Sequence, residues 1–168
     1  MTRVLLVDDE PNLTWTMAQF LSRQGYETDT ASDYEGAVGI LRAKKFDVAI
    51  VDIILPGRSG MDLLKRIAEC DQSVSVVLMT GQPDIERIPE ILRSGACNYL
   101  QKPVVKDTLI KAVSDAVDNK RRAEEKLLND QIVRNHAARL EALLEERTGE
   151  MTRAAAQIAH EVKNPLAG

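Results

Sequence analysis

The sequence predicts an α/β fold, a doubly wound five-stranded parallel sheet, followed by a long α-helical coiled coil. Three observations carry this expectation. Residues 3–117 alternate short apolar runs with amphipathic stretches, the pattern of βα units whose sheet is covered by helices on both faces. Several of the runs are near-continuously aliphatic, as strands buried on both faces require. From about residue 106 onward almost no strand signal remains, with no glycine before Gly149 and no proline before Pro165.

Taken in order, the expected strands are RVLLV at 3–7, YETDTA at 26–31, DVAIV at 47–51, VSVVLM at 74–79 and ACNYL at 96–100. The second alternates more than the others and reads as a strand with one wetter side. Helix patterns fall at about 12–24, 33–44, 60–69, 84–94 and 106–118. Gly25 and Gly95 suit helix C-cap positions, and Asp33 and Asp107 stand where N-caps belong. Pro89 falls inside the fourth helix pattern, where proline costs about 3 kcal/mol unless the helix starts late or kinks. Either a start near Pro89 or a kinked helix is therefore expected, with Ile88 biased away from helix.

Ala, Glu, Arg, Lys and Leu dominate residues 120–159, all strong helix formers. Steps of three and four connect Leu109, Val113, Ala116, Lys120, Ala123 and Leu127, then run from Val133 through Ala137, Leu140, Leu144, Arg147, Met151 and Ala154 to Ile158. That seam predicts a parallel coiled-coil homodimer with one phase break between Leu127 and Val133.

A chain of 168 residues with 44% hydrophobic and 29% charged residues is long enough for one core plus an appendage. Aromatics contribute only 4%, so the core must be aliphatic. A net charge of -4 offers no electrostatic grip on phosphate backbones, so neither nucleic acid nor a membrane surface is an expected partner. The apolar start is too short for a secretory signal, and no run approaches the ~20 apolar residues of a bilayer span. Cys70 and Cys97 lack metal-ligand spacing and disulfide density, which fits a reducing cytoplasm.

In open sheets of this type, ligands bind beyond the carboxyl ends of the strands. Asp8 and Asp9 follow the first strand, Asp52 the third, Thr80 the fourth and Lys102 the fifth. Carboxylates ~5 Å apart repel by roughly 3 kcal/mol per pair at an effective dielectric of about 20, so positive charge must sit among them. Hard oxygen ligands favour Mg²⁺. Asp52, the lone acid at its strand end, is then free to attack phosphorus and form an acyl phosphate. Lys102 and the Thr80 hydroxyl share the charge on the phosphoryl oxygens. Pro103 helps set the loop that aims Lys102.

The stretches VLLVDDE, DVAIVDIILPGRSGMDLL, VVLMTG and GACNYLQKPV together resemble the response-regulator receiver domains, over about residues 1–120. The resemblance implies a flavodoxin-like strand order 2-1-3-4-5 and Asp52 as phosphoacceptor. It further implies Mg²⁺ held by Asp8, Asp9 and Asp52 with help from the Ile54 carbonyl, and contacts from Thr80 and Lys102 to the phosphoryl group. Tyr99 matches the family's switching aromatic, which turns inward when Thr80 shifts toward the phosphate. A histidine kinase or phosphotransfer protein is the implied phosphodonor.

The last residues, HEVKNPLAG, carry a second motif. Glu161 adjoins His160, and Asn164 lies one turn on along the same helix face. A carboxylate accepting one ring proton fixes the tautomer of the imidazole and raises its nucleophilicity. Asn164 could orient a substrate oxygen or a water, and Pro165 should bend or end the helix. The stretch resembles the H box of sensor histidine kinases, HExxNPL, which implies His160 as phosphoacceptor, Glu161 as its acid–base neighbour and Asn164 as the polar group of phosphoryl transfer. His136 reads as surface decoration. No ATP-binding fold follows, as in a truncated piece of a longer parent. The expected organisation is a receiver domain at 1–120, a signalling coil at 121–156 and the start of a kinase dimerisation region at 157–168. Two functions compete: a receiver governing a coil-linked histidine kinase, or a phosphorylation-controlled dimerisation module whose histidine is inert.

Overall fold

A computed structural model describes residues 1–81 and 88–163. Its elements are β1 (Arg3–Val7), α1 (Pro11–Ser22), β2 (Glu27–Ala31), α2 (Tyr34–Ala43), β3 (Val48–Asp52), α3 (Gly60–Cys70), β4 (Ser75–Thr80), α4 (Ile88–Arg93), β5 (Asn98–Gln101) and α5 (Lys106–Val162). The five strands are all parallel in the order β2-β1-β3-β4-β5, as the sequence predicts.

The period of two along each strand sorts the apolar residues onto two faces. Leu5, Val7, Ala49, Val51 and Leu78 pack with Ala37 and Val38 of α2, Leu63, Leu64 and Ile67 of α3, and Ile91 of α4. Val4, Leu6, Val48, Ile50, Val77 and Met79 pack with Met17 and Leu21 of α1 and with Leu109, Ala112, Val113 and Ala116 of α5. Helices thus cover both faces, and β1 and β3 read as unbroken aliphatic runs because neither face meets water. The edge strand β2 is half-buried along most of its length, in keeping with its alternating sequence.

Local signals explain most boundaries. Asp33 caps α2 by accepting from the Gly36 N–H at 2.7 Å. Gly25 and Gly95 take φ of 85° and 103° after α1 and α4, the left-handed turn that glycine enters without a Cβ penalty. Pro89 is the second residue of α4, where no helical N–H is required; residues 84–87 of the expected helix lie outside the described residues. Asp107 is a correction. It is not an N-cap but the second residue of α5, since the Leu109 N–H already bonds the Val105 carbonyl at 2.9 Å. Its carboxylate still favours the positive end of the helix dipole.

The chain divides into two compact units, Met1–Glu124 and Glu125–Gly168. In the first unit the expected coil seam needs correcting. Leu109, Val113 and Ala116 are 0% exposed because they fill the core against the sheet, so no second chain can reach them. Lys120, the next seam position, instead pairs with Asp47 at 2.6 Å. In the second unit, all described residues from Glu125 to Val162 belong to α5, and its apolar stripe faces outward: Leu127, Val133, Leu140, Leu144, Met151 and Ile158 are between 61% and 71% exposed. No helix among the described residues is long and apolar enough to cross a membrane.

Candidate functional site

The carboxyl ends of β1, β3 and β5 bring residues far apart in sequence to one spot. Asp8 directly follows β1, and its N–H bonds the Ala31 carbonyl at 3.1 Å, so β-type pairing holds it one step beyond the strand. Asp52 ends β3 and is 5% exposed; Asp8 is 1% exposed, whereas Asp9 faces solvent. Asp8, Asp9 and Asp52 each offer a carboxylate oxygen, and these oxygens all lie within 4.8 Å of one another.

Lys102 closes the group. Its N–H bonds the Thr80 carbonyl at 2.8 Å, fixing it against the end of β4. Its ammonium lies 2.7 Å from Asp8 Oδ2, 2.7 Å from Asp52 Oδ2 and 3.3 Å from Glu10 Oε1. Burial pulls the lysine pKa down, but the hydrogen bond to Asp52 and the negative charges of Asp52 and Asp8 outweigh it and hold the pKa above its ordinary value. The Lys102–Pro103 peptide is cis.

The backbone supports the two buried acids. Asp8 Oδ1 accepts from the Glu10 N–H at 2.8 Å, and Asp52 Oδ1 accepts from the Ile54 N–H at 3.1 Å. The loop after β3 closes on itself: the Gly60 N–H bonds the Ile53 carbonyl at 2.8 Å, and the Ser59 hydroxyl reaches the same oxygen at 3.3 Å. Gly60 is packed so tightly under this turn that a Cβ on it would stand 2.0 Å from the Asp52 carbonyl oxygen.

One buried atom shows what the cluster is suited to hold. Asp8 Oδ2 is sealed from water and makes no hydrogen bond of good geometry, although the Lys102 charge stands 2.7 Å away. Three close carboxylates with an under-satisfied buried oxygen form the hard donor set that a divalent cation such as Mg²⁺ takes.

Of the other sequence-predicted positions, Thr80 is half-buried at the end of β4, and Tyr99 is half-buried on β5, opposite Leu78 and packed against the α2–α3 core. Ile54 is 74% exposed at the rim. His160 and Glu161 are exposed neighbours near the end of α5, and Asn164 lies outside the described residues. Sequence reasoning missed two contributors: Glu10, the third acid of the DDE run and a partner of Lys102, and Gly60, whose only signal was its place in GRSG. A cleft of about 620 Å³ at the opposite end of the sheet is also lined by charges. There, however, Arg3 pairs with Glu27, Lys45 with Asp71 and Lys120 with Asp47.

Known proteins resemble this chain in sequence and in fold. The chain is 34% identical over 121 residues to the C4-dicarboxylate transport transcriptional regulatory protein DctD of Pseudomonas aeruginosa, which covers 71% of this chain and 26% of that protein. It is 28% identical over 111 residues to sporulation initiation phosphotransferase F of Bacillus subtilis, covering 66% of this chain and 90% of that protein. The chain thus spans about a quarter of the length of DctD and nearly all of the phosphotransferase. Among solved structures, a response regulator receiver domain protein of Clostridium thermocellum superposes with a TM-score of 0.68 at 30% identity, over 73% of this chain and 99% of that one. The response regulator TrrA of Thermotoga maritima, in complex with Mg²⁺-BeF, gives 0.62 at 30% identity, over 69% and 99%. The match to the family described as response regulator receiver domain runs over residues 4–114. It begins in β1, ends within α5 and takes in every strand and every member of the acidic cluster: the chain belongs to the response regulator receiver domain family, whose members act in two-component phosphorelay signalling.

Proposed function

We propose that this chain takes a phosphoryl group on Asp52 and uses the change to govern a histidine kinase module that begins at His160. The observation that carries the first half is the Lys102 ammonium held 2.7 Å from both Asp8 and Asp52, an arrangement that gathers positive charge where a phosphoryl group would land. Receiver domains accept that group from histidine kinases or phosphotransfer proteins and bind Mg²⁺ in an acidic pocket.

In this reading an Asp52 carboxylate oxygen attacks phosphorus, the bond from phosphorus to the donor breaks, and an acyl phosphate is left on Asp52. Mg²⁺, held by Asp8, Asp9 and Asp52 and the Ile54 carbonyl, supplies positive charge against the phosphoryl oxygens when bound. Lys102 stays protonated beside its two acids and trades an aspartate contact for a phosphoryl oxygen. The Thr80 hydroxyl takes another of these oxygens, and Tyr99 turns inward as Thr80 moves. The stripe from Leu127 to Ile158 pairs with a second copy in a parallel coil, and His160, with Glu161 and Asn164 around it, is the phosphoacceptor of a kinase working in the cytoplasm. Exposure of that stripe supports the pairing, since a lone helix buries none of it.

With a small phosphodonor, Asp52→Asn should lose all acyl phosphate while His160→Ala keeps it; label surviving in Asp52→Asn sinks the assignment. Supplying a separate kinase core with ATP should label His160. A second reading draws on the relatives, whose names describe transcriptional regulators and a phosphotransferase. In it, phosphorylation of Asp52 controls only the pairing of two copies, and His160 stays unlabelled.

A further inference from the structure

The geometry points to Arg58 as a positioning residue of the phosphorylation site, acting through the ring of Tyr34. This rests on the reading of Asp52 and its neighbours as a Mg²⁺-dependent phosphoacceptor site. The loop of residues 53–59 contributes Ile54, whose carbonyl that reading assigns to the cation. Its two ends are fixed, by the Ile54 N–H on Asp52 Oδ1 and by Gly60 and Ser59 on the Ile53 carbonyl. Leu55 is anchored in the core at 8% exposure. Between these anchors the chain turns through exposed Pro56, Gly57 at a φ of +80°, and exposed Arg58.

At that tip the Arg58 guanidinium lies over the Tyr34 ring, 4.7 Å from its centroid. Tyr34 is a firm platform: it is 8% exposed, belongs to the same core cluster as Leu55, and opens α2 directly after the capping Asp33. A cation over an aromatic face is an oriented attraction, so the pair holds the loop tip against α2 and limits how far the peptide planes after Asp52 can swing. Arg58 touches neither Asp52 nor a phosphoryl group in this scheme; it restrains the segment that does.

The sign of the effect separates this role from simple charge. Arg58→Ala removes a positive charge from the neighbourhood of a cation site, which on electrostatics alone should tighten Mg²⁺ binding. Loss of positioning does the reverse. Mg²⁺ affinity of the full chain, measured by titration calorimetry, should weaken about two- to five-fold in Arg58→Ala and in Tyr34→Leu. Tyr34→Phe, which keeps the ring, should bind as the unaltered chain does. The double variant should be no weaker than the weaker single one, since both remove one interaction. Because Arg58 is exposed, its variant tests the idea even if Tyr34→Leu fails to fold. Unchanged or tighter binding in Arg58→Ala, or losses that multiply in the double variant, overturns the positioning role and leaves the metal site standing. Absence of Mg²⁺ binding in the unaltered chain overturns the site itself, and the positioning role with it.

Discussion

Leu109 and Leu140 carry the same side chain on the same helix, yet the first is 0% exposed and the second 61%. The stretch Leu109–Ala116 is helical because its stripe completes a core already half built by Val4, Leu6, Val48 and Ile50. From Glu125 onward the described residues of the second unit include no such sheet residues, and the helicity of this stretch rests on composition and hydrogen bonding within the helix. Periodicity alone does not distinguish the two, since both show apolar residues every three or four positions. What differs is the surface each stripe meets, and the same substitution should therefore behave differently in each.

The largest contrast lies in that leucine pair. Leu109→Ala should destabilise the first unit by about 2–5 kcal/mol in urea denaturation, through lost burial and an unfilled cavity. Leu140→Ala should change the stability of a single chain by less than about 0.5 kcal/mol. A loss that instead grows with protein concentration, alongside a dimer in sedimentation equilibrium at micromolar concentration, would mark the outer stripe as an interface. Glycine gives the next contrast. Gly60→Ala should cost about 1–3 kcal/mol and weaken phosphorylation, because its Cβ collides with the Asp52 backbone. At Gly149 a Cβ meets nothing within 4 Å, so Gly149→Ala should stabilise α5 by roughly 1 kcal/mol, read as added helical ellipticity on heating.

The smallest effect is electrostatic. Hydrogen bonds from Ser73, and then Lys45, hold the Asp71 carboxyl at about 2, below its ordinary 3.8. A depressed folded pKa means stability that is present above pH ~4 and is lost as pH falls toward 2. Asp71→Asn should thus be less stable than the unaltered chain at neutral pH, by under about 1 kcal/mol at this half-buried, solvent-screened position, with the gap closing as acid is added. A gap that stays constant to pH 2 would remove the carboxylate from the account.

The sheet was largely legible in the sequence because buried parallel strands leave long aliphatic runs, and RVLLV matches β1 residue for residue. The acidic cluster was legible for a related reason: strand ends are visible in the sequence, and parallel topology places them at one edge. Asp33 and Gly25 could be read because their signals are local. Other features depend on distance through space. Glu10 looked like the tail of an acidic run until Lys102, 92 positions away, was seen to touch it. Lys120 fitted a coil seam by spacing, but Asp47 captures it. Gly60 carries no mark of the backbone pressed against it, and Arg58 gives no hint of Tyr34. Asp107 failed as a cap because α5 begins at Lys106, two residues before the Thr108 start that a cap at Asp107 would need.

The register of β3 acts as a gauge for the chemistry at its tip. Val51 stands level with Val7 and Leu78, and Asp52 with Met79. Each step along a strand advances about 3.3 Å, so sliding β3 by two residues would keep every side chain on its proper face yet carry Asp52 roughly 6.6 Å away. That is farther than the 4.8 Å within which the three carboxylate oxygens now gather. A protein slipped in this way would keep the inward and outward pattern of its strand and still lose the cluster on which phosphorylation depends.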